Sequence, residues 1–247
     1  LAAQNPDADL QFFDRIFQER LGRTPKTLRE DFCGSAYLSC CFARSDASRS
    51  ALGVDPDPEP LQWCRHHNFE SEQDPIASRV RLVQSEILAG PAETADIVCA
   101  MNFGLFLLRN RRDLRRYFEL SKERANGGLF IAEIVGGEES IKPLLESREE
   151  DGFTYVWEQE WFNPIDSTMR AHVHFELPGE QLYRAFTYDW RVWTLAELRE
   201  VLEEAGFSQS LVYWENVGED GYGTGEYHLT EREEQQESWL CYLVGVP

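Results

Sequence analysis

The side chains in this chain that could do chemistry interrupt apolar runs. Glu30 and Asp31 follow Leu28-Arg29, Cys33 and Gly34 make a tight turn, and small and apolar residues (Ala36, Leu38, Cys40, Cys41, Phe42, Ala43) then run on as a helix. About twenty residues on, Leu52-Gly53-Val54 ends in the carboxylate of Asp55 and then Pro56. Strand, glycine turn, helix and an acid closing the next strand make the nucleotide-binding half of a doubly wound sheet. A dinucleotide fingerprint carries three glycines in that turn, and Leu28–Leu38 carries one. The pattern therefore suits a smaller adenosine cofactor with no pyrophosphate to cradle. Two further polar interruptions follow at Glu86-Ile87 and Asn102-Phe103. His172-x-His174 places two imidazoles on one strand face, the start of a metal site, but no third ligand accompanies them. Cys64-Arg65-His66-His67 is no better, so no metal is expected.

These residues need elements to position them. Apolar side chains at 10, 13, 16 and 17 predict a helix over 9–20. Strands are predicted from Leu28 into the turn at Gly34 and at Leu52–Asp55, Val80–Val83, Asp96–Asn102 and Leu129–Val135, with helices between them. Asp57 is read as a cap with proline in its first turn. Five alternations of strand and helix imply a parallel sheet with right-handed crossovers and a ligand beyond its carboxyl ends. Glu30, Gly34, Asp55, Glu86 and Asn102 all fall at those ends.

From residue 138 the pattern changes. Residues 138–150 read as an acidic helix, and Tyr155–Phe162, Met169–Leu177 and Gln181–Trp190 as antiparallel strands rich in aromatics. Thr194 with Glu197 predicts a capping box. Ser210–Trp214 and Trp239–Val246 complete seven strands, and Glu219–Glu237 between them reads as a loop. The expectation is one domain over 1–247, an α/β Rossmann-like doubly wound seven-stranded sheet with 153–191 inserted as an antiparallel aromatic β cover.

Composition narrows the partners. The formal net charge of −20 repels phosphate backbones and makes nucleic acid a poor partner. The basic cluster Arg109, Arg111, Arg112, Arg115 and Arg116 reads as a solvated helix start. Six cysteines without a Cys-x-x-Cys pair read as small core residues of a reduced cytoplasmic protein. No run of about 18 apolar residues is present, so no membrane span is expected. No leader pattern is visible; the chain begins at Leu1 rather than Met, which leaves targeting open.

The arrangement resembles the class I S-adenosylmethionine (SAM) dependent methyltransferases. Glu30-Asp31-Phe32-Cys33-Gly34-Ser35-Ala36 is similar to their first motif. Asp55 and Glu86 match the acids after strands two and three, Asp96–Asn102 looks like motif four, and Asn126-Gly127-Gly128 looks like the turn before strand five. The wording Leu-Arg-Glu-Asp-Phe-Cys-Gly, with a segment like Arg184–Trp193, resembles one bacterial subgroup. Phe32 and Ala36 stand where the family has glycine, and Phe32 is expected to narrow the approach to the cofactor.

The resemblance implies the roles. SAM, leaving as S-adenosylhomocysteine (SAH), would contact Glu30, Asp31, Cys33, Gly34, Asp55, Pro56, Glu86, Ile87, Asn102 and Phe103. Asp55 would accept both ribose hydroxyls, Glu30 would lie near the cationic methionine end, Glu86 or the Ile87 backbone would meet adenine, and Asn102 and Phe103 would floor the sulfonium. The plainer alternatives are an ion pair of Glu30 with Arg29 or Lys26, a helix-start cap at Asp55 and a loop acid at Glu86. Tyr155, Trp157, Tyr188, Trp190 and, as a carboxylate anchor, Arg191 would bind a small-molecule substrate with an N, O or S nucleophile. Asp189, Glu158, Glu160, His172 and His174 are candidate bases, none unique. Packing on the main domain, or on a second copy in a homodimer, is the competing reading of the aromatic segment. A non-catalytic SAM-binding or regulatory protein, or a protein methyltransferase with a basic partner, are the alternative functions.

Overall fold

A computed structural model describes residues 5–69, 74–218, 221 and 223–247. Helix α1 (Pro6–Leu21) starts at Asn5, whose side chain accepts from Ala8 N, and stops at Gly22, which takes the left-handed conformation. It buries Leu10, Phe12, Phe13, Ile16 and Phe17. The nucleotide-binding half follows: β1 (Thr27–Asp31), α2 (Tyr37–Ser45), β2 (Ser50–Asp55), α3 (Pro58–Trp63), β3 (Val80–Gln84), β4 (Ile97–Ala100), α4 (Arg111–Arg124) and β5 (Leu129–Gly136). Asp57 caps α3 by accepting from Glu59 N, with proline at the start of the helix.

The second half contains β6 (Leu144–Glu150), β7 (Phe153–Asn163), β8 (Thr168–Leu177), β9 (Glu180–Arg191), α5 (Leu195–Glu204), β10 (Gln209–Val217), β11 (Gly223–Thr230) and β12 (Trp239–Val246). The main sheet has the order β11-β10-β12-β5-β4-β1-β2-β3. Neighbours from β5 to β3 run parallel, and β12, β10 and β11 join antiparallel. The chain winds outward from β1 in both directions, which puts the topological switch between β1 and β4.

Alternation along the central strands builds two cores. Ile97, Cys99, Leu129 and Ile131 pack with α1 and α2, while Val98, Ala100, Phe130 and Ala132 pack with α4 and α5. The predicted capping box is present at Thr194 and Glu197. The basic cluster lies at the start of α4, where Arg111 pairs with Glu204 and Arg115 and Arg116 pair with Glu119. Arg112 pairs with Asp113, so the cluster's four arginines within the helix all meet acids, as expected of a solvated helix face.

Two elements differ from expectation. Residues 138–150 form a short 3-10 turn (Glu139–Ile141) and then strand β6, not a helix. Pro143 disfavours the helical conformation for the residue before it, and Lys142 is extended at φ −137 and ψ 157. The second difference is β11, in the segment read as a loop. It pairs with β10 through Val212↔Thr230, Tyr213↔Leu229, Trp214↔His228 and Glu215↔Tyr227 and adds an eighth strand to the expected seven. Glu219, Asp220 and Tyr222 of that segment lie outside the described residues.

The smaller sheet has the order β6-β7-β8-β9, all antiparallel. The pairs Tyr155↔Phe175, Trp157↔Val173, Ala171↔Tyr188 and Met169↔Trp190 line up one face, which lies over the carboxyl ends of the main sheet.

Candidate active site

A cavity of about 800 Å³ lies between those carboxyl ends and the smaller sheet. Its base is the turn Phe32–Ser35 with Tyr37, the carboxylate of Asp55, and Met101 to Gly104; its roof is Phe153, Tyr155, Trp157, Phe175, Phe186, Tyr188 and Trp190.

Asp55 is 9% exposed. Its Oδ2 accepts from Gly34 N at 2.8 Å and its Oδ1 from Asp57 N at 2.9 Å. One carboxylate thus fixes the glycine turn after β1 to the start of α3, and each oxygen keeps a lone pair for a ligand. Burial raises its carboxyl above the ordinary range, while the backbone N–H groups of Asp57 and Gly34 oppose the rise.

The floor is strained. Phe32 (φ 59), Ala36 (φ 49), Asn102 (φ 48) and Phe103 (φ 58) all hold left-handed backbone, a conformation that costs about 1–3 kcal/mol per non-glycine residue and clusters at functional sites. Phe32 and Ala36 therefore follow the backbone path that glycine would take, and the motif departure changes the side chains rather than the turn. The Phe32 ring packs on Tyr117 with centroids 5.6 Å apart. Gly104 makes room for it, because a Cβ there would lie 2.9 Å from Phe32 Cδ2. The Asn102–Phe103 turn is held from below by Glu133 of β5, whose Oε2 accepts from Asn102 N at 2.8 Å.

Cys33, Gly34, Asp55, Asn102 and Phe103 are thus brought together at the cavity, and five other expected cofactor residues are not. Successive residues of β1 face opposite ways. Glu30 turns toward α2, 3% exposed, and accepts from Ser39 N at 3.0 Å and Ser39 Oγ at 2.5 Å. Burial pushes its carboxyl up to about 8. Asp31 turns the other way and accepts from Arg29 at 2.9 Å and from Tyr117 Oη at 3.2 Å, with Arg124 at 3.9 Å. Arg29 thus pairs with Asp31 and not with Glu30. Pro56 and Glu86 are exposed, and Ile87 packs in the core below α4.

Tyr155, Trp157, Tyr188 and Trp190 line the roof, and Arg191 does not. Arg191 pairs with Glu197 at 3.1 Å and lies 3.6 Å over the ring of Trp193. The five candidate bases face away from the cavity as well. His172 bonds Glu160 at 3.0 Å, His174 bonds Glu158 at 2.8 Å and Asp189 pairs with Arg170 at 2.8 Å, all on the opposite face of the smaller sheet. Among the described residues no group of three His, Cys, Asp or Glu side chains is placed to hold a metal. Phe153 and Phe175 were missed as roof residues, although the alternation that picks Tyr155 and Trp157 also picks Phe153. Met101, Gly104, Tyr37 and Pro60 carried no polar signal.

No protein-family model and no curated protein matches the sequence. Solved structures do match. An S-adenosylmethionine-dependent methyltransferase from Clostridium acetobutylicum superposes with a TM-score of 0.71 at 16% identity, covering 99% of this chain and 93% of that one. The methyltransferase CcbJ from Streptomyces caelestis gives 0.69 at 15% identity over 98% and 96% of the two chains. This is the class I methyltransferase fold. A SAM-bound amino pentose methyltransferase from Micromonospora echinaspora shares it, with a TM-score of 0.64 at 15% identity over 98% of this chain and 92% of that one. No helix is long and apolar enough to cross a membrane.

Proposed function

We propose that this protein is a SAM-dependent methyltransferase acting on a small-molecule acceptor. The observation that carries the reading is Asp55, buried at the carboxyl end of β2, pinned to Gly34 and facing a cavity closed by an aromatic roof. The residues fit the cofactor. The turn at Gly34 (φ +51) has no heavy atom within 4 Å of where a Cβ would stand, so a ligand has room against its backbone. Asp55 would accept the ribose hydroxyls, each charge-assisted bond contributing roughly 1.5–3 kcal/mol. Cys33 to Ser35, Asn102 and Phe103 would line the remainder.

When bound, SAM supplies an electrophilic methyl group on a cationic sulfur. The chain's own part is alignment of an acceptor and exclusion of water. Trp157, Tyr188 and Trp190 form a cluster of mutually tilted rings, with centroids 6.1 Å apart for Trp157 and Tyr188, 5.7 Å for Trp157 and Trp190 and 4.7 Å for Tyr188 and Trp190, and close the cavity from above. Phe103 meets Trp190 edge-on at 6.1 Å, joining floor to roof. That enclosure favours a small acceptor over a protein side chain presented on a folded surface. The left-handed Phe32 and Ala36 keep the motif's backbone, which supports a turn that still admits the cofactor.

The Leu28–Gly34 wording supports the bacterial subgroup named above, and the six free cysteines support a reducing, cytoplasmic setting. Residues 1–247 form one methyltransferase domain in this reading, with 153–191 supplying most of the cover. The edge strand β9, where Leu182 and Tyr183 are 45% and 63% exposed on its two sides, would meet a second copy. Titration calorimetry with SAM and with SAH tests the assignment; a folded protein that binds neither at millimolar concentration would sink it.

A further inference from the structure

A second cavity, of about 580 Å³, adjoins the first. Phe103, Tyr155, Trp157 and Trp190 line both spaces, so the two meet along these side chains. The chemistry of the second differs from that of the first. Asp9 of α1, Glu133 of β5 and Glu215 of β10 converge on it from three elements, together with Tyr227 and Tyr242. Glu215 Oε1 accepts from Gly225 N at 3.0 Å, and Tyr242 Oη donates to Asp9 Oδ1 at 2.5 Å. Glu133 joins the two cavities: its Oε2 holds the Asn102 turn of the cofactor cavity while the residue lines the acidic one.

A second observation comes from the shared lining. Trp190 is 6% exposed, and its buried indole Nε1–H has no acceptor among the described residues. Buried donors are ordinarily paired, so an orphan in a cavity wall calls for an acceptor on the ligand. Carboxylates on one side and aromatic faces on the other both attract an organic cation.

Resting on the methyltransferase reading above, we propose that this acidic cavity is the acceptor site and takes an amino alcohol, its ammonium against Glu133 and Glu215 and an oxygen toward Trp190 Nε1. Burial, with Asp9 and Glu215 nearby, pushes the Glu133 carboxyl up to about 8, and a bound cation favours its charged form. Proton transfer from R–NH3⁺ to that carboxylate leaves R–NH2 with its lone pair free and Glu133 as the acid; no other co-reactant is needed.

The test is calorimetry on the whole protein without cofactor, using 2-amino-1-phenylethanol, 1-phenylethane-1,2-diol and phenethylamine. The amino alcohol should bind at least about tenfold tighter than the diol, which lacks the charge, and more tightly than phenethylamine, which lacks the hydroxyl. Glu133→Gln should collapse the gap to the diol. If that variant fails to fold, Glu215→Gln should narrow the same gap, and added salt should weaken the amine and leave the diol unchanged. Equal binding of amine and diol, a gap untouched in both variants, or no binding of any probe at millimolar concentration overturns the proposal. SAH titrated into the same samples separates the two readings. SAH binding without amine selectivity defeats only the acceptor site, and amine selectivity without SAH binding defeats the methyltransferase assignment and the acceptor role with it, leaving an amine-binding cavity.

Discussion

Asp55 and Glu30 are both buried carboxylates near the carboxyl ends of the neighbouring strands β2 and β1, yet their surroundings give them different work. Asp55 meets two backbone N–H groups and the cavity, whereas Glu30 meets Ser39 and the core. Replacing Asp55 by Ala removes the acceptor for two hydroxyls and loosens Gly34, so SAH affinity should fall by roughly 100-fold, about 3 kcal/mol, in a calorimetric titration. For Glu30 the expected readout is pH. Its folded carboxyl titrates at about 8 against an ordinary 4.5, so the folded state holds a proton that the unfolded chain releases. The stability from this group is complete below about pH 4.5 and is lost as pH rises through about 8. Glu30→Gln stays neutral throughout, so its melting temperature should gain on the wild type as pH goes from 5 toward 8. A pH-independent difference between the two proteins would refute the assignment. Glu30 and Asp31 were expected at the cofactor because the motif names them; what keeps their side chains out of the cavity lining is strand alternation combined with the Ser39 and Arg29 partners, and those partners are visible only once α2 and β1 are packed.

At the level of elements, the strands and helices of the parallel half were legible because each is a continuous apolar run or a clean helical face bounded by a glycine, a proline or a cap. The half that follows was less so. Strand β6 carries Glu146, Arg148, Glu149 and Glu150 along an edge, a pattern of charge that a solvated helix shows equally well. Strand β11 buries Tyr227 and little else, so its sequence gives no period to read. The floor turn at the end of β4 was foreseen as a site without its cause: two successive left-handed residues, a glycine that admits Phe32, and a carboxylate beneath. That arrangement makes Gly104 and Phe32 interdependent. Gly104→Ala should drive the Phe32 ring toward the cavity and weaken SAH binding several-fold. Phe32→Gly in the same chain should restore most of that loss, a coupling that a double-mutant cycle reads directly.

For the whole molecule, the acidic balance and the two joined cavities point the same way. A chain of net charge −20 steers cations toward itself, and this field is screened over about 8 Å at physiological salt. An amine acceptor should therefore show an apparent KM that rises with ionic strength, while SAH affinity changes little.

One feature of the main sheet bears on how the chain reaches this state. Strand β12 lies between β5 and β10, and both of its neighbours precede it in sequence. During synthesis β5 therefore waits with an open hydrogen-bonding edge for more than a hundred residues, and β10 with β11 has no sheet to join until β12 emerges. Asp9, near the other end of the chain, receives its hydrogen bond from Tyr242 of that same strand, 233 residues away. The molecule is thus sewn shut by a late stitch through its middle rather than trimmed at its border. Ending translation before Trp239 should yield an aggregating product on ribosome release, because an unpaired interior edge templates strand addition. Supplying Trp239–Val246 as a separate peptide during refolding should recover soluble protein, with recovery read by size-exclusion chromatography.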